Sequence, residues 1–188
     1  SITDLVLDAD GNMVAVGQSH IPYTSRQIFV GRFLPDGSFD TTFNASGYVL
    51  LDWLMATALQ GQDVALQDDG RIIAGSPGLV DNYALISNRL APDGNLDTTY
   101  STDGWRIQSL AGYDDLLFDV QIQDSGLLLC GRKDLSDTMP ESELFVVRYN
   151  DDGSLDTSFG TSGMFTADMD PGHDIARAML VQPDQSIL

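Results

Sequence analysis

Cysteine occurs once, at Cys130, so no intrachain disulfide can form and no oxidised framework is available to read. Lysine also occurs once (Lys133) and glutamate twice (Glu141, Glu143), within totals of 9 Lys+Arg and 28 Asp+Glu over 188 residues. Glu and Lys favour helix interiors, whereas Asp favours turns and caps because its short side chain bonds nearby backbone. A chain with 26 Asp, 18 Gly and so little Glu or Lys is not a helical bundle. Clustered basic residues are missing too, and a net charge of −19 argues against nucleic acid or anionic lipid as partners. No apolar run approaches the roughly 18 residues of a membrane span, so membrane insertion is not expected. What the chain does have is 43% hydrophobic residues, ordinary for a packed globular protein, and a length that suits one domain with a real core.

Internal repeats organise those residues. The run Asp36-Gly37-Ser38-Phe39-Asp40-Thr41-Thr42-Phe43 returns as Asp93-Gly94-Asn95-Leu96-Asp97-Thr98-Thr99-Tyr100 and as Asp152-Gly153-Ser154-Leu155-Asp156-Thr157-Ser158-Phe159. An arginine stands four residues before each Asp-Gly (Arg32, Arg89, Arg148), and a glycine four residues after each aromatic (Gly47, Gly104, Gly163). Between these blocks lies a second motif, an apolar triplet, a turn dipeptide and another apolar run. Its copies are Leu5-Val6-Leu7 with Asp10-Gly11, Val64-Ala65-Leu66 with Asp69-Gly70, Val120-Gln121-Ile122 with Ser125-Gly126, and Met179-Leu180-Val181 with Asp184-Gln185. The unit is about 58 residues, giving units at 4–62, 63–118 and 119–177 and a partial one at 178–188.

Each unit reads as four strands. The first two form a hairpin around Asp-Gly, with both turn residues tolerating positive φ. The third carries the arginine (27–34, 83–90, 144–150), and the fourth follows the recurring glycine (48–53, 105–110, 164–168). No helix-length window shows a 3.6-residue period. Four-stranded units of this length indicate an all-β chain of β-propeller blades with antiparallel strands. Closed propellers typically have four to eight blades, so the expectation is a segment of a longer chain, or copies that associate to close a ring.

The run from Asn150 to Gly160 with Gly163, and that from Asp174 to Asp184, resemble the delta-60 repeat. The resemblance covers essentially the whole chain. It implies propeller-like blades and a setting in large secreted or surface-exposed bacterial proteins, and it brings no catalytic residues. Ser87-Asn88 in place of an apolar pair, and Gln185 in place of the turn glycine, depart from the pattern in single blades.

The polar residues that recur are the first site candidates. Arg32, Arg89 and Arg148 each precede an aspartate by eight residues (Asp40, Asp97, Asp156), a spacing that suits a structural pair in which the planar guanidinium takes a carboxylate. One such pair per unit is what a structural staple requires; the functional reading is an anion or carbohydrate site on every blade. For metal, the off-repeat cluster Asp168, Asp170, His173 and Asp174 offers hard oxygen and imidazole donors, with Ca2+ the candidate ion. The other Asp-Gly loops lack the EF-hand spacing and read as turns. For a ligand, Trp53 is the candidate sugar platform because no other unit repeats it. Catalytic signatures are missing: the two histidines, His20 and His173, lie in non-equivalent loops, and Cys130 sits in an apolar run as a core thiol.

The reading that follows is a non-catalytic binding or structural repeat module without a cofactor, from a secreted or cell-surface bacterial protein. Its partners are expected to be proteins, glycans, or further blades of the same or another chain. Two alternatives differ in class: part of a carbohydrate-active enzyme built on a propeller, in which off-repeat acids converge in one cleft, and a purely architectural assembly repeat.

Overall fold

A computed structural model describes residues 1–20, 26–52, 61–79, 82–110, 112–136, 141–169 and 172–188, the side chains of His20 and Leu79 excepted. The described residues form twelve strands in three antiparallel four-stranded sheets, each a simple meander. The first sheet holds β1 (Ile2–Leu7), β2 (Met13–His20), β3 (Arg26–Phe33) and β4 (Tyr48–Leu51). The second holds β5 (Asp63–Leu66), β6 (Ile72–Leu79), β7 (Tyr83–Leu90) and β8 (Trp105–Gln108). The third holds β9 (Asp115–Gln123), β10 (Gly126–Asp134), β11 (Ser142–Tyr149) and β12 (Met164–Ala167). Residues 174–188 contribute only the bridge between Val181 and Ile187, so the fourth unit appears as a partial blade without a sheet.

Side-chain alternation explains why the sheets stack. Along β3, Ile28 and Val30 point one way and join Val14, Val16, Val64, Ile72 and Ile86 in a core between the first two sheets. Along β7, the equivalents of Ile28 and its neighbours split between two faces. Ile86 and Leu90 turn back toward the first sheet, while Leu85 turns forward to Leu117, Val120, Phe145 and Val147. A smaller cluster joins Leu128 and Cys130 to Met179 of the partial blade. A strand buried on both faces loses the polar alternation of an open sheet, and β7 is buried at seven of its eight positions.

The hairpin turns differ from expectation in one respect. Only the glycine takes positive φ, not both residues of Asp-Gly. Gly11, Gly37, Gly70, Gly94 and Gly153 lie at φ between 80° and 86°. Leu34 and Ser38 show the pattern: Gly37 N–H donates to Leu34 O at 2.9 Å and Leu34 N–H to Ser38 O at 2.8 Å, closing a three-residue loop with a left-handed last residue. The third unit departs again. Gln123 pairs with Gly126, so Asp124 and Ser125 alone turn the chain, and Asp124 carries the positive φ of 54°.

Gln185 takes the glycine position of the fourth turn at φ 67°. A side chain there costs about 1 kcal/mol relative to glycine. Gln185→Gly is therefore expected to slow hydrogen exchange of the Gln182 amide, which donates to Ser186 O, by about fivefold. Unchanged exchange would show that this turn is held by its neighbours and not by its backbone preference.

Candidate functional site

The aspartates are positioned by turn chemistry. In the Asp-Gly turns at 36, 93 and 152, and in the matching Asp184-Gln185 turn, one carboxylate oxygen accepts the N–H two residues on: Asp36 from Ser38 at 2.9 Å, Asp93 from Asn95 at 3.0 Å, Asp152 from Ser154 at 2.8 Å and Asp184 from Ser186 at 3.0 Å. The Asp side chain has the reach for this bond, which is why Asp dominates the acids of this chain. The bonds hold these carboxyls below the usual aspartate range: the Ser38, Ser154 and Ser186 hydroxyls for Asp36, Asp152 and Asp184, and the Asn95 amide for Asp93.

The second aspartate of each block divides its two oxygens between two tasks. Asp40 Oδ1 accepts from the Thr42 amide and hydroxyl at 2.9 and 2.6 Å, while Oδ2 accepts from Arg32 Nε at 2.7 Å. Asp97 does the same with Thr99 and with Arg89 at 2.7 Å, and Asp156 with Ser158 and with Arg148 at 2.8 Å. The hydroxyls of Thr42 and Ser158 are the strongest influence lowering Asp40 and Asp156. Burial opposes ionisation at Asp97, and the bonds from Thr99 and Arg89 outweigh it. Each guanidinium also covers the aromatic of its own block, at 5.1 Å over Phe43, 5.1 Å over Tyr100 and 4.8 Å over Phe159.

The arginines reach further than a pair. Arg32 Nη1 donates to Pro92 O of the next unit at 2.8 Å, and Arg89 Nη1 to both the carbonyl and the carboxylate of Asp151. Asp151 stands where the other units have Pro35 and Pro92, and it also accepts from Gln67 at 2.8 Å and Arg71 at 3.1 Å. Burial resists its charge, but the Gln67 bond and the two arginines hold its carboxyl low. Arg89 is 1% exposed, against 17% for Arg32 and 27% for Arg148, so the seam between the second and third sheets holds the most deeply buried cation of the three.

A second set of carboxylates escaped the sequence reading. Asp4 accepts the Val64 amide at 3.2 Å, Asp63 accepts the Val120 amide, and Asp119 accepts the Met179 amide. Each bond joins the first-strand region of one unit to that of the next. Asp63 lies between Asp4 and Asp119; burial is the main influence pushing its carboxyl up, to about 9, and both flanking acids add to it. The recurring signal was an Asp one residue before the apolar triplet, at positions 4, 63 and 119. Because the partner amide lies in another unit, no local spacing announces it.

The off-repeat candidates are placed differently. Trp53 and Asp170 lie outside the described residues. His173 Nδ1 lies 3.1 Å from Ser142 Oγ, and Asp174 Oδ2 accepts the Met169 amide at 2.7 Å, tying the loop to the start of β11. Asp168 does not join these two in a donor group: among the described residues no three His, Cys, Asp or Glu side chains are grouped to hold a metal ion. Cys130 is fully buried, and desolvation pushes its thiol up to about 12, the opposite of a reactive thiolate. Of the aromatics in and after the repeated blocks, Phe43 and Tyr100 are buried, whereas Tyr48 is 37% exposed in a cluster with Phe29 and Phe39.

Two comparisons bear on these features. A family model described as a β-propeller domain of unknown function (DUF5122) matches residues 9–43 and 136–159. The first stretch runs from the β1–β2 turn through Arg32 and Asp40 to Phe43, and the second holds Arg148, Asp156 and Phe159. No curated protein matches the chain. Three antiparallel four-stranded sheets and a partial match to a propeller family together make this chain an all-β array of β-propeller blades.

Proposed function

We propose that the chain is a non-catalytic repeat module of the delta-60 type, serving a secreted or cell-surface bacterial protein as a surface for protein or glycan contact. The observation that carries this reading is the use made of the recurring polar groups. Each of the three arginines is bonded to the aspartate of its own block, and Arg32 and Arg89 also join their unit to the next. A catalytic acid or base needs a poised group in reach of substrate. Here the one carboxyl raised to about 9, Asp63, is engaged with backbone amides of its own and the next unit. The solvated carboxylates of the turns suit an acidic, unreactive surface. Incubation of the chain with a panel of polysaccharides and chromogenic glycosides is expected to give no product above a heat-denatured control. Turnover by the native chain that follows a bell-shaped pH profile would sink the proposal and favour a carbohydrate-active enzyme instead.

A further inference from the structure

Where the turn between first and second strands meets the next unit, a glutamine closes the junction twice. Gln67 Nε2 donates to Ser125 O of the following unit at 3.2 Å and to Asp151 at 2.8 Å, and Gln123 Nε2 donates to Gln185 O at 2.7 Å. Between the second and third units a guanidinium completes the seal. Arg71 Nε donates to Asp69 at 2.6 Å and Nη2 to Asp151 at 3.1 Å, with Nη1 3.8 Å from Asp97.

The junction of the first and second units keeps the backbone and changes the side chains. Asp8 N–H donates to Asn12 O as Gln67 N–H does to Arg71 O, both at 2.9 Å, so Asp8 and Asn12 hold the places of Gln67 and Arg71. Asp8 is turned into its own loop, where it accepts the Asp10 and Asn12 amides at 3.0 and 2.8 Å and the Asn12 side-chain amide at 2.9 Å. Between the two turns lies a cavity of about 280 Å³. Val14, Leu66 and Ile72 give it an apolar wall, and Asp8, Asp10, Asp68 and Asp69 line it with carboxylates. The cation in its lining, Arg32, has its three nitrogens committed to Asp40, Pro92 O and Thr42. Both flanking sheets have their four strands, so this is an interior junction.

We propose that this cavity takes the arginine side chain of a partner polypeptide, its apolar stem on Val14, Leu66 and Ile72 and its guanidinium on the carboxylates. The inference rests on the reading of the chain as a non-catalytic contact module, and it names the chemistry of the partner. Two observations specify the ligand. First, the chain itself sets a guanidinium at the matching place of the next junction, that of Arg71 on Asp69, whose counterpart in the first unit is Asp10. Second, the lining offers four carboxylates and an arginine already paired with Asp40, so a guest must bring N–H donors and positive charge. A compact metal ion does not suit these acids, because no three of the described ones are grouped to hold it. A planar fork on a long stem reaches separated oxygens and covers apolar wall as it does so.

Titration of the isotopically labelled full chain with N-acetyl-arginine amide at low ionic strength, followed by amide NMR, tests this directly. Saturable shifts of the Gly11 and Gly70 amides, one in each turn, are expected. The citrulline analogue has the same shape without the charge, and is expected to bind about tenfold more weakly, the loss that follows from one charge-assisted hydrogen bond. That arm leaves the chain unaltered, so it does not depend on a variant folding. Asn12→Arg is expected to abolish the shifts, because its side chain fills the cavity as Arg71 fills the matching place. Absence of saturable shifts, equal binding of the citrulline analogue, or undiminished binding by a folded Asn12→Arg chain would overturn the proposal. So would tighter binding of free L-arginine than of the capped amide, which would assign the cavity to a free amino acid, or suppression of the shifts by Ca2+ with Mg2+ inert, which would assign it to a metal ion. Glycan turnover would defeat the non-catalytic reading without altering this titration, so the two failures are separable.

Discussion

Asp97→Ala is expected to destabilise the chain by about 3 kcal/mol, the low end of what removing one partner from a buried ion pair costs. The loss arises at Arg89, which is 1% exposed and would keep its charge with one carboxylate fewer. Asp151 remains at 3.0 Å from Arg89 Nη1, which places the effect at the low end of the range. Asp97→Asn separates two contributions, because an amide oxygen still accepts the Thr99 amide while the charge is gone. Asp156→Ala is expected to cost much less, since Arg148 is 27% exposed and water takes over its solvation. Urea unfolding of the three variants checks the order. Equal losses at positions 97 and 156 would mean that the turn bond dominates and the buried charge does not.

Asp63→Asn is expected to remove a pH dependence and to stabilise the chain in mild alkali. The folded carboxyl of Asp63 is pushed up to about 9 from an ordinary 3.8, so the folded state binds its proton more tightly than the unfolded state throughout that window. Stability from this group is fully present at acid pH and is lost as pH rises toward 9, at up to about 1.4 kcal/mol per pH unit for a single proton. The turn and staple aspartates act in the opposite sense. Their carboxyls are held low, so their contribution is present above the ordinary aspartate range and is lost only as pH falls through their lowered values. Above the ordinary aspartate range Asp63 therefore contributes a falling slope, and Asp115, whose carboxyl burial also pushes up, acts in the same sense. Asparagine keeps one acceptor for a backbone amide and offers N–H donors toward Asp4 and Asp119, where the protonated carboxyl has a single O–H to donate. Thermal unfolding from pH 5 to 9 is expected to show a falling melting temperature for the native chain and a flatter one for the variant. Parallel profiles would rule out a protonated Asp63.

The propeller architecture was legible because it is written in local chemistry repeated at a fixed interval. Asp-Gly marks a turn wherever it stands, and an arginine eight residues before an aspartate meets it once the intervening chain reverses. Even so, the turn itself was misjudged at one point: the aspartate keeps negative φ and spends its side chain on the next-but-one amide, leaving glycine alone in the left-handed region. What sequence could not convey was the destination of bonds that leave their own unit. Asp63 looks like one more turn acid until Val120 arrives beside it from the next unit, and Asp151 looks like a variant of Pro92 until Arg89, Arg71 and Gln67 converge on it. Exposure was equally unreadable. Tyr48 and Trp105 occupy matching positions, yet Tyr48 meets the rings of Phe29 and Phe39 while Trp105 packs on the core between the first two sheets.

The direction of the seam contacts has a consequence for how such a chain can grow. Arg32 and Arg89, with the rings of Phe43 and Tyr100, form sockets that face the following unit, and the Asp93-Gly94 and Asp152-Gly153 turns point back into them. An additional copy of 56 to 59 residues, inserted in register, would arrive with a turn for the socket behind it and a socket for the turn ahead. Neither neighbour would need a compensating substitution. Tandem duplication of the coding segment can therefore lengthen the array one unit at a time, with each newcomer already fitted to both sides.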